Sequence, residues 1–259
     1  MLYSRGIPIK TDEDIDGMRK SCAIVADIRD ELAKLVAPGM TTGEIDHMAG
    51  EMIQQRGCKS PFLGYRNFPG NICISVNDEV VHGIGGSRKL AYGDLLKLDL
   101  GVIHDGWIGD TAITVPIGLV SRECERLMAA TKQSLMDGIK QARAGNRLGD
   151  ISAAIEACIL AERFGIVREF VGHGVGRKLH EEPQIPNYGT AGTGPKLKAG
   201  MTLAIEPMVN MGQQEVRYLD DGWTVVTADG KPSSHFEHTI LVTEGEPEIL
   251  TCGKMATSK

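Results

Sequence analysis

Apolar residues recur every three or four positions through four segments of the chain, which is the spacing of one buried helix face. In the first segment this face comprises Ile15, Met18, Cys22, Val25, Ile28, Leu32 and Leu35. Thr11 is its candidate N-cap, and the Pro38-Gly39 pair ends the pattern. Helices are therefore predicted over residues 12–34, 44–56, 123–142 and 150–163.

Three motifs recur in the same order along the chain: a Gly-x-x-x-Gly-acid-Ile helix start, a glycine followed by a strand and a carboxylate, and an Asp-Gly-Trp triplet. They occupy residues 38–45, 93–99 and 105–107 in the first copy and 144–151, 200–206 and 221–223 in the second. Ordered repetition predicts a duplicated unit, with halves of about 1–120 and 121–259 in a single domain of residues 1–259.

The pattern as a whole predicts an α+β fold. Short apolar segments between Gly, Asn and Asp turns predict strands, among them residues 72–76, 95–102 and 111–115. We expect antiparallel strands from two pseudo-symmetric halves to join in one central sheet. Two helices of each half would then cover its outer face.

Composition narrows the class of protein. The chain has 259 residues and a formal charge of −6, without a basic tract, so specific binding of nucleic acid is disfavoured. It has no apolar run of the length that a signal peptide or a membrane span requires. The six cysteines contain no C-x-x-C pair. We therefore expect reduced thiols and a cytoplasmic location, with no membrane partner.

Four carboxylates occupy equivalent places in the two repeats: Asp99 and Asp110, Glu206 and Glu237. Asp99 and Glu206 follow apolar strand residues, where an unpaired carboxylate is costly unless it is protonated or neutralised. An outward-facing position explains a single such acid, but not four that are related by a repeat. Pseudo-symmetry would bring them to a central axis, where two divalent ions offset their repulsion.

Three histidines are candidates to join these carboxylates. His173 lies between two glycines, His180 follows it by seven residues, and His82 ends an apolar strand. The surrounding sequence lacks the phosphate-loop, dinucleotide and H-E-x-x-H patterns. Oxygen ligands with one or two imidazoles suit Mn²⁺, Fe²⁺, Co²⁺ or Zn²⁺, so the metal stays open. Two such ions activate water, which predicts metal-assisted hydrolysis of an amide, a phosphate ester or another substrate.

An ordered set of short motifs around these residues resembles one known family. The motifs are Asp99, Asp110-Thr111, residues 172–176, residues 180–183, residues 205–208 and Glu237-His238-Thr239. Together they resemble type I methionine aminopeptidase of the bacterial or organellar type, a metallopeptidase of the pita-bread fold. The resemblance covers about residues 7–250. It implies a catalytic domain that removes the initiator methionine co-translationally when the second residue is small and uncharged.

The resemblance implies a metal ligand at each matching position. Asp99 would bind one divalent ion, Asp110 and Glu237 would bridge two ions, and His173 with Glu206 would complete the second site. The two ions would be Co, Mn, Fe or Zn. A monovalent cation is also implied, held by backbone carbonyls around three further residues, Asn77, Glu79 and Ser233.

The same resemblance implies roles in catalysis and substrate binding. His180 would polarise the scissile carbonyl, His82 would contact the substrate backbone, and Glu206 would also shuttle protons. A methionine side chain would be bound by Tyr65, Phe68, Cys73 and Trp223, and the substrate would also be contacted by Phe62 and Leu179. The last two depart from the family's commonest bacterial pattern, in which Cys is frequent at the first position and Phe at the second.

The resemblance also implies which partners the protein has, and two alternative functions stay open. The implied substrates are nascent polypeptides with N-terminal Met, met by a monomer with a transient ribosome contact. One alternative is a proline dipeptidase or creatinase-like hydrolase of the same fold, which usually carries a large extra N-terminal domain. Another is a non-enzymatic binding protein that has lost its metals. The competent side chains at all implied ligand positions favour an enzyme.

Overall fold

The computed structural model describes residues 2–4 and 6–253. Its helices are α1 Asp12–Leu35, α2 Thr42–Gln55, α3 Arg122–Gln141 and α4 Leu148–Ala161, with a 3₁₀ turn at Tyr65–Asn67. Its strands are β1 Leu2–Ser4, β2 Ile7–Ile9, β3 Cys73–Val76, β4 Glu79–Val81, β5 Leu95–His104, β6 Trp107–Pro116, β7 Gly165–Ile166, β8 Gly172–Gly174, β9 Glu181–Ile185, β10 Thr202–Ile205, β11 Met208–Asn210, β12 Val216–Tyr218, β13 Val225–Thr227, β14 Ser233–His235, β15 Glu237–Leu241 and β16 Glu248–Ile249.

The helices lie close to their predicted positions, and their caps explain the differences. Thr11 and Asp14 form a capping box at the start of α1, where each side chain accepts a hydrogen bond from the other residue's backbone N–H. Thr41 and Glu44 form the same box. That second box starts α2 at Thr42, two residues before the predicted boundary.

One antiparallel sheet forms the centre of the molecule, in the strand order β3-β5-β6-β15-β10-β8-β9, with β16 beside β15. The order is symmetric about the β6–β15 contact, because β6, β5 and β3 lie on one side and β15, β10 and β8 on the other. Helices α1 and α2 pack on the first group, and α3 and α4 on the second. The predicted fold is therefore confirmed, with two pseudo-symmetric halves around a central sheet.

The two Asp-Gly-Trp triplets do not occupy equivalent places, which corrects that part of the repeat. Residues 105–107 make the β5–β6 hairpin, where Asp105 and Gly106 have φ of 51° and 76°. Residues 221–223 lie between β12 and β13, in a separate three-stranded sheet with β4. The second half carries β11 to β14 between β10 and β15, whereas β5 and β6 are joined directly. This excursion places Trp223 at the central cleft.

The structure also bears on two predictions from composition, which concern membrane spans and disulfides. Within residues 2–4 and 6–253, no helix is both long enough and apolar enough to cross a membrane. All six cysteines are unpaired, as predicted, and only Cys252 is exposed.

Candidate metal centre and substrate cleft

Strand register places the carboxylates of the first half on one face of the sheet. Asp99 in β5 pairs with Ala112 in β6, and Ala112 pairs with Glu237 in β15. Cross-strand partners point to the same side of a sheet, and so do residues two apart in one strand. Asp110, two residues before Ala112, therefore joins Asp99 and Glu237 on this face.

The second half contributes to the same face by the same rule. His173 in β8 pairs with Ala204 in β10, which pairs with Thr239 in β15. Glu237 lies two residues before Thr239, and Glu206 lies two residues after Ala204. All five residues that the sequence implied as ligands therefore converge opposite the helices.

The distances among these side chains are short. One ligand atom each of Asp110, His173 and Glu237 lies within 4.8 Å of the others. Nε2 of His173 is 3.4 Å from Oε1 of Glu206 and 3.8 Å from Oδ2 of Asp110. Nδ1 of His173 donates to the carbonyl of Gly174 at 3.0 Å. That bond leaves the Nε2 lone pair facing the carboxylates, which is the tautomer a metal ligand requires.

The electrostatics of this cluster fit divalent cations. Oδ1 of Asp110 and Oε1 of Glu237 are buried without a hydrogen-bond partner. Burial and the neighbouring carboxylates raise the pKa of both residues well above the ordinary values. Burial likewise raises the pKa of Asp99 to about 7 and that of Glu206 to about 8. Buried carboxylate oxygens beside an imidazole lone pair are the donors that divalent transition metals bind.

A cleft of about 1240 Å³ opens above this face. Every candidate site residue borders it: Phe62, Tyr65, Phe68, Cys73, His82, Asp99, Asp110, His173, Leu179, His180, Glu206, Trp223 and Glu237. The carboxylates form its floor. Apolar and aromatic side chains line part of its walls, beside charged ones such as Arg66 and Lys178. The Phe68 ring meets Trp223 edge-on at 5.0 Å between centroids. The structure thus brings together, in one cavity, all thirteen residues that the sequence implied.

His180 lies beside the carboxylate cluster on a tightly held loop. Its Nδ1 is 3.0 Å from the hydroxyl of Tyr65, and its ring centroid is 4.5 Å from that of His173. The neighbouring Glu181 pairs with the buried Lys10 at 2.7 Å and accepts hydrogen bonds from two backbone N–H groups of the loop. Burial lowers the pKa of His180, so the imidazole is neutral near pH 7.

A row of aromatic side chains lines part of the cleft, and two of its members, Phe170 and Tyr218, were not predicted from the sequence. The His82 ring meets Phe170 edge-on at 5.3 Å and Trp223 at 6.1 Å. Tyr218 extends the row, with its ring 6.2 Å from Phe170. Burial lowers the pKa of His82 to about 4. Phe170 lay within the apolar run before Gly172, but nothing in the sequence pointed to Tyr218.

His235 is a second residue that the sequence interpretation missed. Its side chain is 1% exposed, and neither ring nitrogen has a hydrogen-bond partner. Nε2 lies 3.6 Å from Oε2 of Glu206, and burial lowers the pKa of His235 to about 4. The signal was its position two residues before Glu237, which predicts the same face along a continuous strand.

The monovalent cation expected at the carbonyls of Asn77, Glu79 and Ser233 requires a correction. Nζ of Lys97 donates hydrogen bonds to the carbonyl of Asn77 at 2.7 Å and to that of Ser233 at 3.2 Å. The Lys97 ammonium therefore contacts two of the three carbonyls that were expected to bind the cation. A separate cation beside it would meet like-charge repulsion in a buried environment.

Comparison with known proteins places the chain among metallopeptidases. Residues 16–244 match Metallopeptidase family M24. A methionine aminopeptidase of Clostridium perfringens is 49% identical over 245 residues, covering 95% of this chain and 98% of the relative. The crystal structure of methionine aminopeptidase from Rickettsia prowazekii superimposes with a TM-score of 0.94 at 39% identity, covering 95% of this chain and all of that one. A prolidase from Pyrococcus furiosus, 20% identical with a TM-score of 0.75, shares the fold over 95% of this chain and 66% of its own.

Proposed function

The chain belongs to the methionine aminopeptidases of metallopeptidase family M24, a family of hydrolases, and we propose that it removes the initiator methionine from nascent polypeptides. The observation that carries the proposal is the buried cluster of carboxylates and imidazole in a cleft that is partly lined by apolar and aromatic side chains. Hydrolysis of the first peptide bond would require metal ions at this floor and a wall that accepts an unbranched thioether.

The ligand positions support a pair of divalent ions, Co, Mn, Fe or Zn. Asp99 would help to hold one ion and His173 with Glu206 the other, and Asp110 with Glu237 would supply oxygen ligands to both. Divalent ions in such a pair supply an activated water and neutralise developing negative charge. The unpartnered oxygens of Asp110 and Glu237 support this assignment, because a buried carboxylate oxygen without a donor is otherwise costly.

Side chains of the protein would carry out the proton transfer, stabilise the oxyanion and position the substrate. Glu206 would accept a proton from the attacking water and pass it to the leaving amine. If the Tyr65 hydroxyl donates to Nδ1 of His180, the proton of that imidazole lies on Nε2. Nε2–H would then donate to the oxyanion that forms at the scissile carbonyl. His82 would contact the substrate backbone from the aromatic wall.

The cleft walls suggest which substrates fit. Five side chains would bind the substrate's methionine: Tyr65, Phe68, Cys73, Leu179 and Trp223. Phe62 would narrow the cleft for the second residue. The second residue must pass the mouth near His82, so Gly, Ala and Ser would be accepted and Leu or Lys rejected. A blocked amine offers no lone pair at the floor, so N-formyl-Met and N-acetyl-Met peptides would resist cleavage.

The organisation of the whole chain belongs to the same proposal. We infer a single catalytic domain, 1–259, that arose by duplication of halves near 1–120 and 121–259. The strand order about the β6–β15 contact supports this division. The protein would act as a cytoplasmic monomer with a transient contact to the ribosome, where nascent chains emerge.

Cleavage of Met-Ala-Ser by metal-depleted protein, with and without added Mn²⁺ or Co²⁺, tests the function. Ala-Pro distinguishes a proline dipeptidase, and N-acetyl-Met-Ala-Ser is the negative control. Metal-dependent release of Met alone is expected. Cleavage of Ala-Pro but not of Met-Ala-Ser would show the dipeptidase alternative. No cleavage and no bound metal after addition of Mn²⁺ or Co²⁺ would show the non-enzymatic binding protein.

Variants separate the two roles within the site. Asp99→Ala and Glu237→Ala should lose both turnover and bound metal. His180→Ala should keep its metal, while kcat falls about 10²–10³-fold, the usual loss for one oxyanion donor. Metal loss in His180→Ala would instead make His180 a ligand. Normal activity of Glu237→Ala would contradict the paired-ion arrangement.

A further inference from the structure

Lys97 is a fully buried lysine in the middle of an apolar strand. It lies between Leu96 and Leu98 in β5 and is 1% exposed. Its Nζ donates to the carbonyls of Asn77 and Ser233. Over residues 6–253, Nζ makes no ion pair within 4.0 Å. A buried ammonium is costly without partners, so the two carbonyl oxygens are what hold this one in place.

Those carbonyls come from opposite halves of the molecule. Asn77 follows β3 with φ of 54°, and its carbonyl also accepts from the backbone N–H of Ser233 at 2.9 Å. The side chain of Asn77 bonds Asp94 at 2.8 Å and the N–H of Leu95 at 2.9 Å, which fixes the carbonyl's direction. Ser233 begins β14. The Lys97 ammonium therefore lies where the β3–β5 edge of the first half meets β14 of the second.

The surroundings of Nζ are those of a small cation rather than of an ordinary lysine. Backbone carbonyl oxygens are the ligands of hard monovalent ions, and here two of them converge on one point. Burial lowers the pKa of Lys97 to about 7, and the nearby carboxylates of Glu79, Asp78 and Asp94 oppose this lowering by favouring the charged form. Glu79 is itself held by Arg88 at 2.7 Å and by the N–H of Val76, so its carboxylate is fixed in position.

We propose that the Lys97 ammonium is a built-in substitute for a monovalent cation at the junction of the two halves. The folded protein then needs neither Na⁺ nor K⁺ at this point. Shortening the side chain would expose a vacant carbonyl site that such an ion can fill. The proposal does not rest on the enzymatic activity, because it concerns the junction between β5 and β14.

The test compares thermal unfolding in choline chloride, NaCl and KCl at one ionic strength, with saturating Mn²⁺. Lys97→Ser opens the site and leaves a hydroxyl oxygen beside the two carbonyls. Lys97→Met fills the volume without a donor. Lys198→Ser is the matched control, because Lys198 is exposed. All proteins are purified in KCl and then dialysed, so that a variant which depends on the ion can be recovered folded.

The expected unfolding temperature of the unmutated protein and of Lys198→Ser is the same in all three salts. Lys97→Ser should be destabilised in choline chloride and regain stability in Na⁺ or K⁺ along a saturating curve. Its unfolding on dialysis into choline chloride supports the proposal equally. Lys97→Met should be destabilised in every salt.

Two results would overturn the proposal. One is saturable stabilisation of the unmutated protein by Na⁺ or K⁺, together with broadening of the ²³Na NMR line when this protein is added. That result would show that the ion binds although Lys97 is present. The other is a Lys97→Ser protein that responds identically to all three salts. The second result would make Lys97 a buried side chain that only supports packing.

Discussion

Nε2 of His235 lies 3.6 Å from Oε2 of Glu206, on the side of the carboxylate away from His173, whose Nε2 is 3.4 Å from Oε1. Each oxygen of Glu206 therefore faces a different imidazole. His173 has its second nitrogen bonded to a carbonyl, whereas His235 has no partner at either nitrogen. A slight rotation of the His235 ring would give an N–H···O bond that orients Glu206. Hydrogen bonds to ligating carboxylates commonly tune metal sites in this way.

We expect His235→Leu to lower kcat for Met-Ala-Ser about 10–100-fold, the usual effect of removing a hydrogen-bond partner of a metal ligand. His235→Gln keeps an N–H donor and should retain most of the activity. Calorimetric titration of the metal-free proteins with Mn²⁺ provides a readout other than turnover. Loss of one bound ion in both variants would show that His235 is itself a ligand. Equal kcat in all three proteins would show that Glu206 needs no such partner.

The metal-free protein should become less stable as pH rises above about 6.5. Burial raises the pKa of Asp99 to about 7 and of Glu206 to about 8, against about 4 in an unfolded chain. At these carboxyls the folded state binds more protons than the unfolded state, and the stability that they provide is lost between about pH 4 and pH 8. Below about pH 6.5 the buried imidazoles of His82, His173 and His235 act in the opposite direction, because burial lowers their pKa values to about 4, 3 and 4. Unfolding temperatures of chelator-treated protein should therefore fall between about pH 6.5 and pH 8, and Glu237→Gln should reduce the slope. Saturating Mn²⁺ should abolish the fall, because bound metal replaces the protons. An unfolding temperature of the metal-free protein that does not change over this pH range would contradict the raised pKa values of the buried carboxyls.

Local patterns were sufficient to predict the helices and the face that carries the ligands. The three- and four-residue spacing from Ile15 to Leu35 identified the buried side of α1, where six of the seven predicted residues are buried. Leu35, the last residue of the helix, is 48% exposed, so the prediction was wrong there. Asp99 could be placed because alternation along a strand is a local property, and His173 because glycines flank it. The ends of helices were predicted less accurately than their buried faces. The capping box of Thr41 with Glu44 starts α2 at Thr42, two residues before the predicted start.

Contacts between distant segments could not be predicted. His235 meets Glu206 only because the excursion from β11 to β14 returns the chain to the central sheet. Lys97 was visible as a charge inside an apolar strand, but its acceptors lie 20 and 136 residues away. The Asp-Gly-Trp triplets were misplaced for a related reason, because a hairpin turn has the same short sequence whichever sheet it serves.

Tyr65→Phe should separate the two roles of this side chain. The variant keeps the ring against the cleft but removes the hydroxyl that lies 3.0 Å from Nδ1 of His180. Loss of one such bond should lower kcat about tenfold. KM for Met-Ala-Ser and metal content should change little. Tyr92→Phe is the control, because Tyr92 is 64% exposed. A raised KM with unchanged kcat would leave Tyr65 as a pocket wall only.

Phe62 should narrow the range of accepted second residues. Its ring lies against Gly101, where an added Cβ would come within 3.0 Å of Cε1, and Gly101 shares the face of Asp99 two residues earlier. The Phe62 ring therefore takes up space in the cleft close to Asp99. Phe62→Cys and Phe62→Leu should therefore raise kcat/KM for Met-Leu-Ser about tenfold or more, with little change for Met-Ala-Ser.

The two substitutions also distinguish volume from chemistry. Phe62→Cys should become sensitive to thiol reagents, whereas Phe62→Leu and the unmutated protein should not. Cys73 also borders the cleft, but burial raises the pKa of its thiol well above the ordinary value, so it stays protonated and unreactive. A panel of Met-X-Ser peptides, assayed before and after treatment with iodoacetamide, measures both effects. Efficient cleavage before Leu or Lys by the unmutated protein would refute the steric role of Phe62. Inactivation of the unmutated protein by the reagent would instead place a reactive thiol at Cys73.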